Sequence, residues 1–330
     1  MHVLITGGTG FIGSRLALQC LAKGDAVRVL GLENTSAETA NRTCLAARGA
    51  DVIPASVLNK ERLLTAVQGI DVVYHLAAAQ HEANVTDAHF RDVNVTGTRH
   101  LLEASIEAGV KRFVHGSTIG VYGAALEGTI DEQSPLQPDN IYGSTKLEGE
   151  RLVLSYREKL PIVIIRISET YGPGDHRLLK LFRAIHKNVF FMIGNGENKH
   201  HLIYINDLID GLFLAASVAE AVGEVFVLSG KEALTTNDMV AIIAEQLGTH
   251  IRKFRAPLSL FMILAGMLET GLRPLGIQPP LHRRRMDFFK KSFTLSHAKA
   301  SNLLGFIPKF SFTEGVKETA TWYRSHGYLS

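Results

Sequence analysis

The chain has 330 residues, of which 46% are hydrophobic and 20% are charged, and its net charge is +3. This length can bury a substantial core in one large domain or in two closely joined ones. So small a net charge does not imply a nucleic-acid or membrane partner. The two isolated cysteines, Cys20 and Cys44, make neither a disulfide framework nor a zinc site.

The first half of the chain alternates short apolar segments with segments of helical periodicity. Strands are predicted at 3–5, 26–30, 52–53, 71–76, 112–115 and 161–167, and helices at 11–23, 93–109 and 142–159. Such alternation is typical of a parallel sheet covered by helices on both faces. We therefore predict an α/β fold, a Rossmann-type doubly wound parallel sheet, with a dinucleotide-binding domain over 1–168.

The second half of the chain is less regular. Strands are predicted at 203–205 and 225–228, and a helix at 236–247. The apolar stretch at 256–268 is shorter than the roughly 20 residues of a membrane span. It indicates a buried helix or a pocket wall, with a membrane-surface contact as the minor alternative. We predict a smaller substrate-binding region over 169–330, with 203–229 returning to the Rossmann sheet.

Three glycines follow the first predicted strand and open the first predicted helix. Gly7 permits a tight turn, Gly10 lets the backbone approach a pyrophosphate, and Gly13 lets the helix pack closely on the strand. The helix N-terminus offers free N–H groups and a positive dipole end to the phosphates. A glycine triplet in this setting predicts a dinucleotide site, with Phe11 and Ile12 of the same loop against the cofactor.

The end of the second strand bears on the choice between NAD and NADP. An acidic side chain there holds a ribose 2′-hydroxyl, whereas a basic one holds a 2′-phosphate. Gly31 follows the predicted strand, Glu33 comes two residues later, and no Lys or Arg is adjacent. We expect NAD, and the sequence does not exclude NADP.

Tyr142 and Lys146 stand four residues apart in the long predicted helix and so share one face of it. An ammonium close to a tyrosine hydroxyl favours the phenolate and lowers its pKa from about 10. A tyrosine tuned in this way exchanges a proton with a carbinol or a ketone near neutral pH. The pair predicts hydride-transfer chemistry at a carbinol carbon.

Several motifs together resemble the extended short-chain dehydrogenases/reductases of the NAD-dependent epimerase/dehydratase family. The resemblance covers nearly the whole chain and rests on TGGTGFIG at 6–13, HLAA at 75–78, VNVTGT at 93–98, STIGVYG at 117–123, YGSTK at 142–146, YGPG at 171–174, GNG and IYINDL within 194–208, and KASNLLGF at 299–306. The set is specific for the family and says little about the substrate.

The resemblance implies a role for each matched position of the catalytic group. Tyr142 would be the acid/base, and Lys146 would hold the nicotinamide ribose and tune Tyr142. Thr118 falls where the family has a Ser or Thr that hydrogen-bonds the substrate oxygen, and Ser117 would face the cofactor. Asn94 resembles the family's structural Asn.

Other matched positions would contact the cofactor. Leu76, Ala77 and Ala78 would lie against it, the alanines being small enough to let it pass. Ser56 and Val57 occupy the place of an Asp-hydrophobe pair that contacts adenine, and the missing Asp removes one expected contact.

The resemblance leaves two functions open. We predict a nucleotide-sugar epimerase that works through a transient ketone, with NAD(P)-dependent oxidation or reduction of an apolar alcohol or ketone, as in the 3β-hydroxysteroid dehydrogenase branch, as the alternative. The presence of Thr118, Tyr142 and Lys146 argues against a regulatory protein without turnover. A dehydratase would need acidic residues where this chain has Ile119 and Gly120.

Four residues are predicted to contact the substrate. Glu169 stands three residues after Arg166, where sugar-nucleotide members usually have Asn, and an acid there would repel a diphosphate. Arg177, His201 and Arg284 could each meet an anionic group, although solvated basic surfaces explain the arginines about as well.

The remaining expectations concern location and partners. Unpaired thiols are typical of a reducing compartment, and the N-terminus lacks the pattern of a signal peptide, so we expect a cytoplasmic protein. No membrane span, metal site or nucleic-acid partner is predicted. Helices at 94–108 and 142–159 would pair in a homodimer, as is common in the family.

Overall fold

Strands and helices alternate through the first half of the chain in the computed structural model, which describes residues 1–80, 85–123, 128–252, 254–272 and 283–329. Within these ranges the strands are β1 (His2–Thr6), β2 (Ala26–Gly31), β3 (Asp51–Pro54), β4 (Val72–His75), β5 (Arg112–Thr118), β6 (Thr129–Ile130), β7 (Ile162–Ile167), β8 (Thr170–Tyr171), β9 (Met192–Ile193), β10 (Lys199–His200), β11 (Ile203–Tyr204), β12 (Val225–Leu228), β13 (Leu234–Thr235), β14 (Arg255–Ala256) and β15 (Thr294–Leu295).

One parallel sheet of seven of these strands forms the centre of the molecule, in the order β12–β7–β5–β4–β1–β2–β3. The chain steps outward from β1 to β2 and β3 on one side, then crosses to β4 and β5 on the other. The strand order therefore reverses between β1 and β4. A reversal of this kind leaves a crevice at the carboxyl ends of the strands, where ligands bind in open α/β sheets.

Helices cover both faces of this sheet. Those described are α1 (Phe11–Ala22), α2 (Ser36–Ala47), α3 (Lys60–Ala66), α4 (Asp87–Arg91), α5 (Thr98–Glu107), α6 (Ile141–Ser155), α7 (Leu179–His186), α8 (Ile205–Ser217), α9 (Thr236–Leu247), α10 (Leu258–Leu272), α11 (Arg283–Lys290), α12 (Ala298–Leu304) and α13 (Phe312–Ser325). Helices α1 and α8 pack on one face, and α3, α5 and α6 pack on the other. This arrangement confirms the predicted Rossmann-type doubly wound sheet.

The helix predicted over 93–109 differs from the observed one in its first turns. A π-helical segment, Asp92–Gly97, joins α4 to α5. This wider turn carries the buried Asn94 amide, whose Oδ1 accepts a hydrogen bond from Ala79 N at 2.9 Å and whose Nδ2 donates to Thr145 Oγ1 at 2.9 Å. Asn94 thereby ties the loop after β4 to helix α6.

The two strands predicted in the second half of the chain go to different places. The strand predicted at 225–228 is β12, which joins the central sheet beside β7. The one predicted at 203–205 is shorter, because Ile205 already begins α8, and it pairs with β8 in a separate two-stranded sheet. Other two-stranded sheets join β10 to β13, β14 to β9 and β15 to β6. Within the described ranges, no helix is both long and apolar enough to cross a bilayer.

Candidate active site

The glycine loop between β1 and α1 forms a cradle of exposed backbone. Gly7 has a φ of +67°, and a Cβ there would lie 2.7 Å from Ala77 N. A Cβ on Gly13 would lie 2.3 Å from Gly7 O. Neither position has room for a side chain, so the loop folds tightly against both α1 and the end of β4. The first N–H groups of α1 have no partner inside the helix and are available to an anion.

A cavity of about 710 Å³ opens beside this loop, at the carboxyl ends of the central strands. Sixteen of the residues predicted as site residues line it: Gly7, Gly10, Phe11, Ile12, Gly13, Ser56, Val57, Leu76, Ala77, Ala78, Ser117, Thr118, Tyr142, Lys146, Glu169 and Arg177. The cavity is thus one continuous space from the glycine loop to the Tyr142 side chain and on to Glu169.

One predicted substrate contact, His201, is not at this cavity, and the side chain of another is not described by the structure. The buried His201 lies away from it, since its Nε2 is 2.9 Å from Gly230 O and its Nδ1 accepts a hydrogen bond from Leu295 N at 3.0 Å. His200 lines the cavity instead, because successive residues of an extended segment point to opposite sides. The side chain of Arg284 lies outside the described part of the chain, although its backbone belongs to α11.

The end of β5 and the start of α6 meet at the cavity and position the catalytic candidates. Asn140 caps α6, its side chain accepting a hydrogen bond from Gly143 N at 3.0 Å. A Cβ on Gly143 would lie 2.5 Å from Gly120 O, so the helix start packs directly on the turn after β5. Thr118, the last residue of β5, and Tyr142, in the first turn of α6, therefore face the same space.

Lys146 lies one helical turn beyond Tyr142 and is buried. Its Nζ donates a hydrogen bond to Gly116 O at 2.6 Å. Burial lowers the pKa of the ammonium to about 8, and the Glu150 carboxylate partly offsets this effect. Lys146 is therefore a cation near neutral pH that loses its charge under mildly alkaline conditions.

A buried ion pair supports the floor of the cavity. Arg166 on β7 and Glu150 on α6 lie 2.9 Å apart, with 5% and 2% of their side chains exposed. Ser117 Oγ donates to Glu150 Oε1 at 2.5 Å, and Arg166 Nη1 donates to Tyr122 Oη at 2.9 Å. The Ser117 hydroxyl thus lines the cavity and is held in position by its hydrogen bond to Glu150.

The part of the cavity beyond Tyr142 combines charged and aromatic side chains. Glu169 Oε2 lies 3.1 Å from His200 Nδ1, and the His200 ring stacks on Phe288 with centroids 4.5 Å apart. Burial acts to raise the pKa of Glu169, but the hydrogen bond with His200 and nearby positive charge hold that pKa below its usual value. Lys291 also lines this part and forms a 2.7 Å ion pair with Asp139.

Arg177 lies close to the glycine loop. Its guanidinium carbon is 5.9 Å from the centroid of the Phe11 ring, and its Nε is 3.1 Å from Asp175 Oδ1. The loop that precedes Arg177 is fastened to α1, because Arg15 Nη2 donates to Pro173 O at 2.7 Å. Arg177 therefore stands beside the anion cradle as well as beside the substrate end of the cavity.

Some lining residues escaped sequence reasoning. From the end of β2 to the first turn of α2 they are Leu30, Gly31, Leu32, Asn34 and Glu38; at the opposite end of the cavity they are His200, Phe288, Lys291 and Phe293. The acidic residue noted after β2, Glu33, forms a 3.0 Å ion pair with Arg42 and does not line the cavity. Sequence reasoning could have found Glu38, because this acidic residue lies in the first turn of α2, the helix that follows β2.

A glycine cradle at a topological switch point, with a buried lysine one turn after a tyrosine in the same cavity, defines a dinucleotide-dependent oxidoreductase. Comparison with known proteins agrees. Residues 3–229 match the model of the NAD dependent epimerase/dehydratase family, and the chain belongs to that family. The glycine cradle fits the diphosphate of its cofactor, NAD, because side chains are excluded where the phosphates would lie.

Similar proteins in this family have different activities. A 3beta-hydroxysteroid-dehydrogenase/decarboxylase isoform 1 of Arabidopsis thaliana is 30% identical over 81% of this chain, and the match spans 65% of that relative's length. A dTDP-glucose 4,6-dehydratase of Streptomyces niveus is 29% identical over 99% of this chain and 94% of its own.

Solved structures agree with the fold. A UDP-glucuronic acid 4-epimerase from Bacillus cereus, in complex with UDP-glucuronic acid and NAD, is 27% identical with a TM-score of 0.81, over 99% of this chain and 100% of that one.

Proposed function

We propose that this chain is a nucleotide-sugar epimerase that oxidises a sugar carbinol to a transient ketone and then reduces the ketone on its other face. NAD, when bound, supplies the acceptor and donor of the hydride. The observation that carries this proposal is a cation in the wall of the cavity. Lys291, which pairs with Asp139, lines the same cavity as Tyr142, where it can meet a diphosphate.

The chain's own residues would move the proton and hold the substrate. In the oxidation, the carbinol O–H proton passes to the Tyr142 oxygen as the C–H hydride leaves the same carbon. The Lys146 ammonium favours the phenolate form of Tyr142 that accepts the proton. Thr118 donates a hydrogen bond to the reacting oxygen. In the reduction, Tyr142 returns its proton as the hydride comes back to the carbon.

Arg177 is better suited to the cofactor than to the sugar. Its guanidinium lies beside Phe11 of the glycine loop, within reach of the diphosphate that the cradle would hold. We propose that it neutralises that diphosphate, and that Glu169 and His200 contact the sugar. The Glu169 carboxylate, held ionised by its surroundings, can accept hydrogen bonds from sugar hydroxyls.

An isotope experiment tests epimerisation directly. The purified holoenzyme is incubated with UDP-glucose, UDP-glucuronic acid or dTDP-glucose carrying deuterium at the reacting carbinol carbon. Epimerisation through a transient ketone gives the epimer with its deuterium retained and without net NADH absorbance. Stoichiometric NADH accumulation, or conversion of none of these sugars while an apolar alcohol is oxidised, would refute the proposal.

A second candidate, oxidation of an apolar alcohol, is favoured by Glu169 together with Phe288 and Phe293. An acid at this point of the cavity repels a diphosphate, and the two rings offer an apolar wall. The Lys291→Met variant separates the two functions. For a nucleotide sugar, loss of a charge-assisted contact of about 1.5–3 kcal/mol raises KM roughly 10- to 150-fold.

A steroid alcohol has no charge for Lys291 to meet, so its KM would not change. Lys290→Met removes an exposed charge next to Lys291 and is the matched control, with KM expected to stay at the wild-type value. A Lys291→Met variant that oxidises an apolar alcohol normally, in a protein that converts no nucleotide sugar, would establish the second candidate.

A further inference from the structure

Helix α10 has an apolar surface that the described part of the chain does not cover. Leu260, Ile263 and Met267 stand on one side of the helix and are 50%, 60% and 59% exposed. Phe254, which is 64% exposed, packs edge-on against Phe191 just before the helix. We call these four residues, Phe254, Leu260, Ile263 and Met267, the α10 face.

The opposite side of α10 is anchored to the protein. Ala265 is fully buried and packs with Ile193 and Met286, and Phe261 contacts the Phe191 ring. From 258 to 268 the sequence contains no charged residue. A helix that is apolar all round is normally buried on every side, so something other than the described residues is expected to cover the α10 face.

The charge of the segment around α10 indicates what covers the α10 face. Over 250–291 the sequence has nine Lys and Arg and only two Asp and Glu, an excess of seven positive charges. The whole chain has an excess of only three, so the rest of the molecule is net negative. Arg252 and Lys290, at the two ends of this segment, are exposed. The net charge of the whole chain conceals this local concentration.

We propose that the α10 face docks on an anionic lipid bilayer, with its apolar side chains among the acyl chains and the basic flanks at the headgroups. Helix α10 has 15 residues, a length of about 22 Å, which is less than the roughly 30 Å hydrocarbon core. It would therefore lie in the interface rather than cross it. Each basic residue near an anionic surface adds attraction that salt weakens.

A second copy of the chain is a poorer occupant of the same surface. A two-fold dimer brings the same patch of both subunits together. Two segments that each carry seven excess positive charges would then face one another and repel. An anionic bilayer complements both the charge and the apolar surface.

Docking would also orient the active site. Helix α11 packs against α10 through Met286 and Phe289, and its neighbours Phe288 and Lys291 line the cavity. The substrate end of the cavity is thus one helix away from the proposed lipid contact. The proposal does not depend on which substrate the cavity takes, because binding to lipid is measured without turnover.

Vesicle flotation with the full chain tests the proposal. We expect at least tenfold more protein to float with vesicles of phosphatidylcholine and 30% phosphatidylserine than with phosphatidylcholine alone, and 0.5 M NaCl to remove most of this difference. Arg252→Gln is expected to reduce binding to the anionic vesicles about fivefold. Absence of wild-type flotation with the anionic vesicles would overturn the proposal.

Two matched variants distinguish insertion of the α10 face into the bilayer from a general effect of lower surface hydrophobicity. Ile263→Asn places a polar amide on the α10 face and is expected to lower flotation at least fivefold. Ile307→Asn makes the same change at another exposed isoleucine, 71% exposed, outside the α10 face, and is expected to bind as the wild type does. Circular dichroism spectra and bound NAD content check that both variants are folded.

Two further results would contradict the proposal. One is equal flotation of Ile263→Asn and the wild type. The other is a wild-type dimer in gel filtration that Ile263→Asn converts to a monomer, because a second copy would then cover the α10 face. Since these assays involve no substrate, failure of the epimerase proposal would not affect their outcome.

Discussion

Replacing Glu150 by Gln would remove one charge from the ion pair beneath the active site. Arg166 would then keep its charge while only 5% of its side chain is exposed. The hydrogen bond from Arg166 to Tyr122 is uncharged on the acceptor side and cannot replace the carboxylate. The variant therefore leaves a buried cation without a counter-ion.

The size of the effect follows from the burial of both partners. Removing one member of a buried ion pair costs about 3–5 kcal/mol, which is roughly a 150- to 5,000-fold loss in the folding equilibrium constant. The substitution also affects the active site, because the negative charge of Glu150 raises the pKa of Lys146. Without that carboxylate, the pKa of Lys146 falls further below its usual value.

Urea unfolding followed by circular dichroism measures the change in stability. Glu148→Gln is the matched control, since Glu148 lies on the same helix and pairs with Arg91 at 3.0 Å but on the exposed surface. Exposed pairs contribute little, so its unfolding midpoint should stay near that of the wild type. Equal midpoints for Glu150→Gln and Glu148→Gln would show that the buried pair does not stabilise the fold as argued.

Three further predictions concern the cofactor site and the catalytic pair. Tyr142→Phe should abolish turnover while NAD stays bound, as measured by nucleotide extraction; retained activity would remove Tyr142 from the chemistry. The Lys146 ammonium is present below about pH 8 and lost above it, so kcat/KM should fall as the pH rises through 8. An unchanged alkaline limb in Lys146→Met would contradict this assignment. Gly13→Ala places a Cβ 2.3 Å from backbone and should destabilise the fold by about 1–3 kcal/mol and reduce bound NAD in a thermal-shift and extraction assay. Gly271→Ala, where a Cβ meets open space, should change neither.

Secondary structure was predictable where the chain shows strong periodicity, and it was missed where burial is slight or apolar residues are continuous. Helix α2 has a single buried residue, Leu45, and so presents little apolar periodicity to read. Helix α8 is apolar along most of its length because it packs against the sheet, and its start overlaps the predicted strand at 203–205. Helices α2 and α8 were missed because hydrophobic periodicity reveals a helix only when one of its faces is buried and the other is exposed.

The sequence by itself determined the class of enzyme. The glycine spacing and the Tyr142–Lys146 spacing are local, since a βα turn and one helical turn fix which atoms come together. Only the tertiary structure decided the far end of the cavity. There Glu169 meets His200, the His200 ring stacks on Phe288, and Lys291 comes from a segment more than one hundred residues after Tyr142. Such contacts join residues distant in sequence, so no local pattern records them.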